Sequence, residues 1–279
     1  MRGRPGHPPV LLAVLLAVGL TACGGGTSTS GTATTSSSAA AAPANGEASK
    51  SPTQILADAR AALGRVHSFD IVGRGAQSGQ SSTVAGEFQL PGRLHIEVTQ
   101  GAGVAQAIVI GKAAYLKGNQ AFFTKNAPPA TATRLANRWI AAPDSSGAGL
   151  ALDLSSDDDP ATVGRCVIGA HDGAVSLKGT GSINGQPVVI VAVKGNVPGG
   201  VPWLFYVAAS GPALLLRTVQ TGPRNPGGTP NAACHQTEQE FDSHTTGVVD
   251  NFSHYNAGPP ITAPRGAVSL ATLAGATSV

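Results

Sequence analysis

The chain has 279 residues, of which 42% are hydrophobic and only 12% charged, with a formal net charge of +3. Setting aside Arg2 and Arg4 leaves 16 basic and 15 acidic residues, a net charge of +1 that gives no electrostatic footprint for nucleic acid. Roughly 225 residues remain behind a leader and linker, enough for one large domain or two small ones.

The leader comes first. Arg2 and Arg4 precede an apolar run from Pro9 to Leu20. That run has the length of a secretory signal core and falls short of the roughly 20 residues of a membrane-spanning helix. It closes on Leu20-Thr21-Ala22-Cys23, which resembles the lipobox of bacterial lipoproteins. The resemblance implies cleavage before Cys23, acylation of its sulfur and anchorage to the outer side of the cytoplasmic membrane. The other reading is a plain secretory signal in which a cysteine falls by chance. Residues 1–22 are thus expected to be a signal peptide, and 23–50 the lipidated cysteine with its linker. Gly24 to Lys50 is Gly, Ser, Thr and Ala with almost no charge, so it cannot bury a core. As a flexible coil it would reach about 30 Å.

At Ser51 the pattern changes to an N-cap serine, then Pro52 at the first helical position and Gln54 at the third. Ile55, Leu56, Ala59, Ala62, Leu63 and Val66 recur at helical spacing and predict a helix ended by Gly64. Short strand-like runs follow: Phe69 to Gly75, Thr83 to Leu90, Arg93 to Gln100, Val104 to Gly111 and Ala113 to Lys117. Pro91-Gly92, Gly101-Ala102-Gly103 and Gly118-Asn119 read as the hairpin turns between or after them. Leu94, Ile96 and Val98 alternate with Arg93, His95 and Glu97, so one face is dry and one wet. The series describes an antiparallel meander.

Pro128 to Asn137 is weakly helical, and a loop is expected from Ala142 to Gly149. Asp159 and Pro160 read as a helix cap and first turn, with the helix running to about Ile168. The run Asp157-Asp158-Asp159 also raises calcium, but the Gly turn and distal Glu of an EF-hand are missing. A second strand series comprises Val175 to Gly181, Gln186 to Lys194, Pro202 to Ala209, Ala213 to Thr221 and His235 to Asp242. Asn184-Gly185 is a strong hairpin signal, and Ser210-Gly211-Pro212 a further turn. Val188 to Val193 and Trp203 to Ala209 are apolar on both faces and want cover on both.

Cys23 aside, one cysteine pair remains, Cys166 and Cys234. An exported compartment permits a disulfide between them, closing a loop for a stabilisation of about 4 kcal/mol; two free buried thiols are the alternative. The chain has no Gly-x-Ser-x-Gly elbow, no His-Glu-x-x-His and no phosphate loop. Asp242, His244 and His254 cluster only loosely. The expectation is therefore no catalytic residue, no metal, no cofactor and no enzyme.

Several stretches carry a likeness to a known family. They are Gly86-Glu87-Phe88 through Ile96, Ile108-Val109-Ile110-Gly111-Lys112-Ala113-Ala114-Tyr115-Leu116-Lys117, Leu135-Ala136-Asn137-Arg138-Trp139-Ile140, and Phe252-Ser253-His254-Tyr255-Asn256 followed by Ile261-Thr262-Ala263-Pro264. With these the chain resembles the actinobacterial lipoproteins of the LppX, LprG, LprA and LprF type, whose fold is similar to that of LolA and LolB. The resemblance spans residues 51–264 and rests on packing and turn motifs. It implies an α+β fold, a single antiparallel half-barrel of about 10–11 strands over a few helices, with a lipid-accepting cavity. Residues 265–279 are expected to form a flexible tail. The expected ligands are lipid or glycolipid acyl chains carried across the envelope by a monomer held at the cytoplasmic membrane through Cys23. An envelope lipid transporter is a conceivable partner. The residues expected to line the cavity are Leu94, Ile96, Val98, Ile108, Ile110, Val189, Val191, Leu204, Tyr206 and Leu215. A one-residue register error would exchange the two faces. The competing reading is an envelope scaffold that binds protein and holds no lipid.

Overall fold

The computed structural model describes residues 43–77, 79–125, 127–142, 160, 163–168, 173–227 and 245–269. The first helix, α1 (Pro52–Leu63), begins as its sequence dictates. Ser51 caps it by accepting from the Gln54 N–H at 3.3 Å, and Pro52 fills the first turn. Gly64 closes it, with its N–H donating to Arg60 O at 3.0 Å. Ile55, Leu56, Ala59 and Leu63 form its buried stripe.

Five strands follow as consecutive antiparallel neighbours: β1 (Ser68–Gln77), β2 (Gln80–Gln89), β3 (Arg93–Gln100), β4 (Gly103–Ile110) and β5 (Ala113–Gly118). Gly118-Asn119 does not make the expected hairpin. Asn119 caps a short helix, α2 (Gln120–Thr124), its side-chain oxygen accepting from the Phe122 N–H at 2.8 Å. Asn serves turns and helix caps alike, so the dipeptide could not distinguish them. Then come α3 (Pro129–Leu135) and the two-residue β6 (Ile140–Ala141), which pairs with β5. Past 142 the described chain resumes at helical Pro160 and a π-helical turn, Val163–Val167, within the span where a helix was expected from Pro160 to about Ile168. Gly164 lies against the Arg60 backbone and Leu63, which docks this turn on α1.

The second meander is β7 (Val175–Ile183), β8 (Gln186–Val193), β9 (Trp203–Ala208) and β10 (Leu215–Gln220). Asn184 and Gly185 both hold positive φ, 50° and 80°, as the primed turn of a two-residue hairpin requires. The expected strand from His235 to Asp242 lies outside the described residues. A strand the sequence reading missed, β11 (Thr245–Ser253), does the joining: it pairs with β1 on one side and β10 on the other. Gly247, Asp250 and Asn251 are poor strand formers, which hid it. Finally β12 (Val268–Ser269), in the stretch expected to be a flexible tail, pairs in parallel with β6.

The result is one open sheet of twelve strands in the order β12-β6-β5-β4-β3-β2-β1-β11-β10-β9-β8-β7, antiparallel except at the β12–β6 edge. It is the expected α+β half-barrel, with twelve strands among the described residues against the expected number of about ten or eleven. A single buried cluster joins α1 to Ala114 on β5 and to Val193 on β8. These strands would lie about 40 Å apart on a flat sheet, whereas α1 is about 18 Å long. The sheet wraps its inner face around the helix. A smaller cluster, Phe122, Phe123, Ala132, Ala105 and Ile140, seats α2 and α3 on the same face over β4 to β6.

Candidate functional site

Register decides which side chains meet inside. Directly opposed residues of neighbouring strands point to the same face. One row across the inner face therefore reads Val109, Leu94, Phe88 and Phe69. This row is sealed. The Phe69 and Phe88 rings stack at 4.8 Å, Phe252 and Tyr255 approach at 6.0 and 6.2 Å, and α1 belongs to the same buried cluster.

The next row reads Leu116, Ala107, Ile96, Gly86, Ile71 and Phe252. The one beyond it reads Val98, Val84, Gly73, Asp250, Thr218 and Phe205. Here the cover thins. Ile71, Val84, Ile96, Val98 and Leu116 are only half-buried although they sit on the inner face in mid-sheet. Small residues stand on this face too, Gly73, Gly75, Gly86, Ala105 and Ala107, and neighbours lean over the glycines: Asp250 over Gly73, Val248 over Gly75, and Phe88 and Ile71 over Gly86. The half-buried residues form a shallow apolar trough between the helix-covered row and the polar far end at Gln80, Ser82 and Gln100.

Two polar groups interrupt that trough. Thr218 is wholly buried, and its hydroxyl donates to Asp250 Oδ2 at 3.1 Å. Burial pushes the Asp250 carboxyl up to about 6, the Thr218 bond opposing that rise. The carboxylate lies flat over Gly73, where any Cβ would collide with Oδ1.

Of the ten residues expected to line a cavity, the structure puts six on the inner face. Leu94, Val189, Val191 and Leu215 are almost completely buried among other side chains, so they fill the core and offer no surface. Ile96 and Val98 do face the trough. The other four are corrected by register. Ile108 and Ile110 oppose His95 and Arg93, and Leu204 and Tyr206 oppose Ala192 and Ile190, so all four belong to the outer face. A strand that is apolar on both sides gives no phase from sequence, and the guess fell one residue out on β4 and β9. The outer apolar residues of β8 to β10 are used as well: Val188, Ala208 and Leu216 form a cluster of their own there, with Tyr206 packed on it. Sequence reasoning missed Asp250 because it missed β11, and with it the partner that gives Thr218, on the expected strand β10, its role.

The Phe252-to-Asn256 motif is a lock. The buried Tyr255 hydroxyl donates to Leu215 O on β10, and burial pushes its phenol up. Asn256, held at φ 55°, accepts from the His67 N–H at 2.6 Å and donates its own N–H to Ser68 O at 2.8 Å. His254 Nδ1 meets Asp70 Oδ2 at 2.7 Å and Ser253 Oγ at 3.4 Å. Both contacts fall on one ring nitrogen, whereas a relay needs one partner on each. The loose cluster of His254 with Asp242 and His244 falls mostly outside the described residues. Among the described residues no group of three possible metal ligands converges, and no helix is long and apolar enough to cross a membrane. Cys166 sits on the π-helical turn; Cys23 and Cys234 lie outside the described residues.

The fold and this trough define a class, an open antiparallel half-barrel wrapped on a central helix. No family model matches the chain, and no curated protein does. Solved structures do. The chain is similar to LprF from Mycobacterium bovis, at 16% identity and a TM-score of 0.44 over 78% of this chain and 100% of that one. It is similar to the lipoprotein LppX of Mycobacterium tuberculosis, at 14% identity and 0.44 over 76% and 100%. A LolA superfamily protein from Nitrosomonas europaea matches at 12% identity and 0.25 over 76% and 96%. These likenesses concern the path of the chain and say nothing of a ligand.

Proposed function

We propose that this chain is a lipoprotein, anchored through acylated Cys23 on the outer face of the cytoplasmic membrane, that shelters lipid or glycolipid acyl chains during passage through the envelope. The observation that carries the reading is the half-buried set Ile71, Ile96 and Val98 on two adjacent rows in the middle of the inner face. Interiors ordinarily pack to crystal-like density. An apolar mid-sheet surface that keeps part of its area open gains about 0.8 kcal/mol per methylene when a hydrocarbon chain covers it. The linker from Gly24 supplies reach, and two or more acyl chains on Cys23 would make the anchor stable. A Cys166–Cys234 bridge, included in the proposal, would tie the turn beneath α1 to the chain ahead of β11. No reaction is assigned; the chain is read as a carrier that acts as a monomer, with an envelope lipid transporter as its partner.

The test is to secrete the chain with a cleavable export signal in place of residues 1–23 and to examine it by native mass spectrometry. Co-purifying lipid, displaceable by a fluorescent lipid analogue, is expected. Protein that is uniformly lipid-free and takes up no analogue would favour the scaffold reading instead.

A further inference from the structure

Asp250 is out of place in a container for hydrocarbon. It stands in mid-sheet on the inner face, between Gly73 of β1 and Thr218 of β10. Its Oδ2 is held by the fully buried Thr218 hydroxyl, while Oδ1 accepts no hydrogen bond among the described residues. The side chain nevertheless keeps part of its surface accessible. No cation faces it. On this face its neighbours are Gly73 and Gly75 on β1, Val248 and Phe252 on β11, Thr218 and Gln220 on β10, and Phe205 beyond; Arg74 and Arg217 belong to the outer face. A carboxylate is an acceptor only, and desolvating one without a donor is costly.

Building on the lipid-carrier reading, we infer that Asp250 and Thr218 form a hydrogen-bonding anchor for a hydroxyl group carried by the bound amphiphile. Oδ1 accepts the hydroxyl's hydrogen bond, and the apolar residues Ile71, Ile96 and Val98 take the adjoining hydrocarbon. A hydroxyl fits better than an ammonium. It brings one proton for one oxygen, whereas an ammonium brings three and would need further acceptors where Ile71, Val84 and Phe205 offer none; Gln220, another polar side chain of this face, lies two residues along β10 from Thr218. Thr218 orients the carboxylate, and Gly73 lets it lie along the sheet so that it does not obstruct the trough. The site thereby selects hydroxylated lipids over plain ones.

The full-length protein, reconstituted in phosphatidylcholine nanodiscs, is offered equal amounts of methyl 12-hydroxystearate and methyl stearate. Native mass spectrometry of the ejected protein counts each ester. Wild type is expected to favour the hydroxy ester about tenfold, the discrimination of one charge-assisted hydrogen bond. Asp250→Leu, of similar size and without an acceptor, should bind both esters equally; Asp250→Asn, a neutral acceptor of the same shape, should keep a preference of about twofold. Should Asp250→Leu fail to fold, the asparagine variant and wild type still decide. Equal binding of both esters by wild type overturns the anchor while leaving the carrier reading intact, and so does an undiminished preference in Asp250→Asn. Uptake of neither ester removes the carrier reading, and the anchor with it.

Discussion

Two parts of one face, two to four residues apart along the strands, behave as different materials. Around Phe69 and Phe88 the rings stack, α1 lies over them, and the residues are closed to water. Around Ile96, Gly73 and Asp250 the same strands carry small or polar groups, and the cover ends. The twelve residues of α1 span only about 18 Å, too little to roof a sheet this wide. Core and container are therefore built from the same strands, and the boundary between them is set by where the helices stop.

This contrast can be broken from either side. The largest effect belongs to the sealed row. Phe69→Ala removes a ring with three aromatic neighbours and should cost about 3–5 kcal/mol in chemical denaturation. Enlarging a residue separates the rows directly. Val109→Phe, at a fully buried position, should cost about 1–3 kcal/mol, whereas Val98→Phe in the trough should cost less than about 1 kcal/mol and lower lipid loading. Comparable costs for the two would mean that the trough is as tightly packed as the core. The lock comes next: Tyr255→Phe leaves the Leu215 carbonyl without its phenol donor and should lose about 1 kcal/mol by the same measurement.

A pH dependence comes last. The Asp250 carboxyl stands at about 6 in the folded chain against an ordinary 3.8. A carboxyl raised by folding takes up protons in the folded state, so acidification between about pH 6 and 4 stabilises the fold and the penalty is complete above pH 6. The melting temperature of wild type should thus gain on that of Asp250→Leu as the pH falls from 7 to 5. A constant gap would show that the carboxylate is well solvated.

Much of the architecture could be read from the chain alone. The Ser51-Pro52 start and Gly64 end of α1, the meander from Phe69 to Lys117 and the Asn184-Gly185 hairpin are local signals, because capping and turn chemistry depend on a few adjacent residues. The alternation of Leu94, Ile96 and Val98 also fixed their face, since a strand with one wet side carries its own phase. Where the neighbours in space are distant in sequence, the chain was silent. The strand from Thr245 to Ser253 has weak propensity and exists because β1 and β10 offer it two ladders. The faces of Ile108, Ile110, Leu204 and Tyr206 were set only by pairing, since both sides of those strands are apolar and hydrophobicity cannot tell one from the other. The place of Asp250 inside the trough follows from the same pairing. Local chemistry thus determined the elements; long-range register decided which residues face the interior and where the apolar surface is left uncovered.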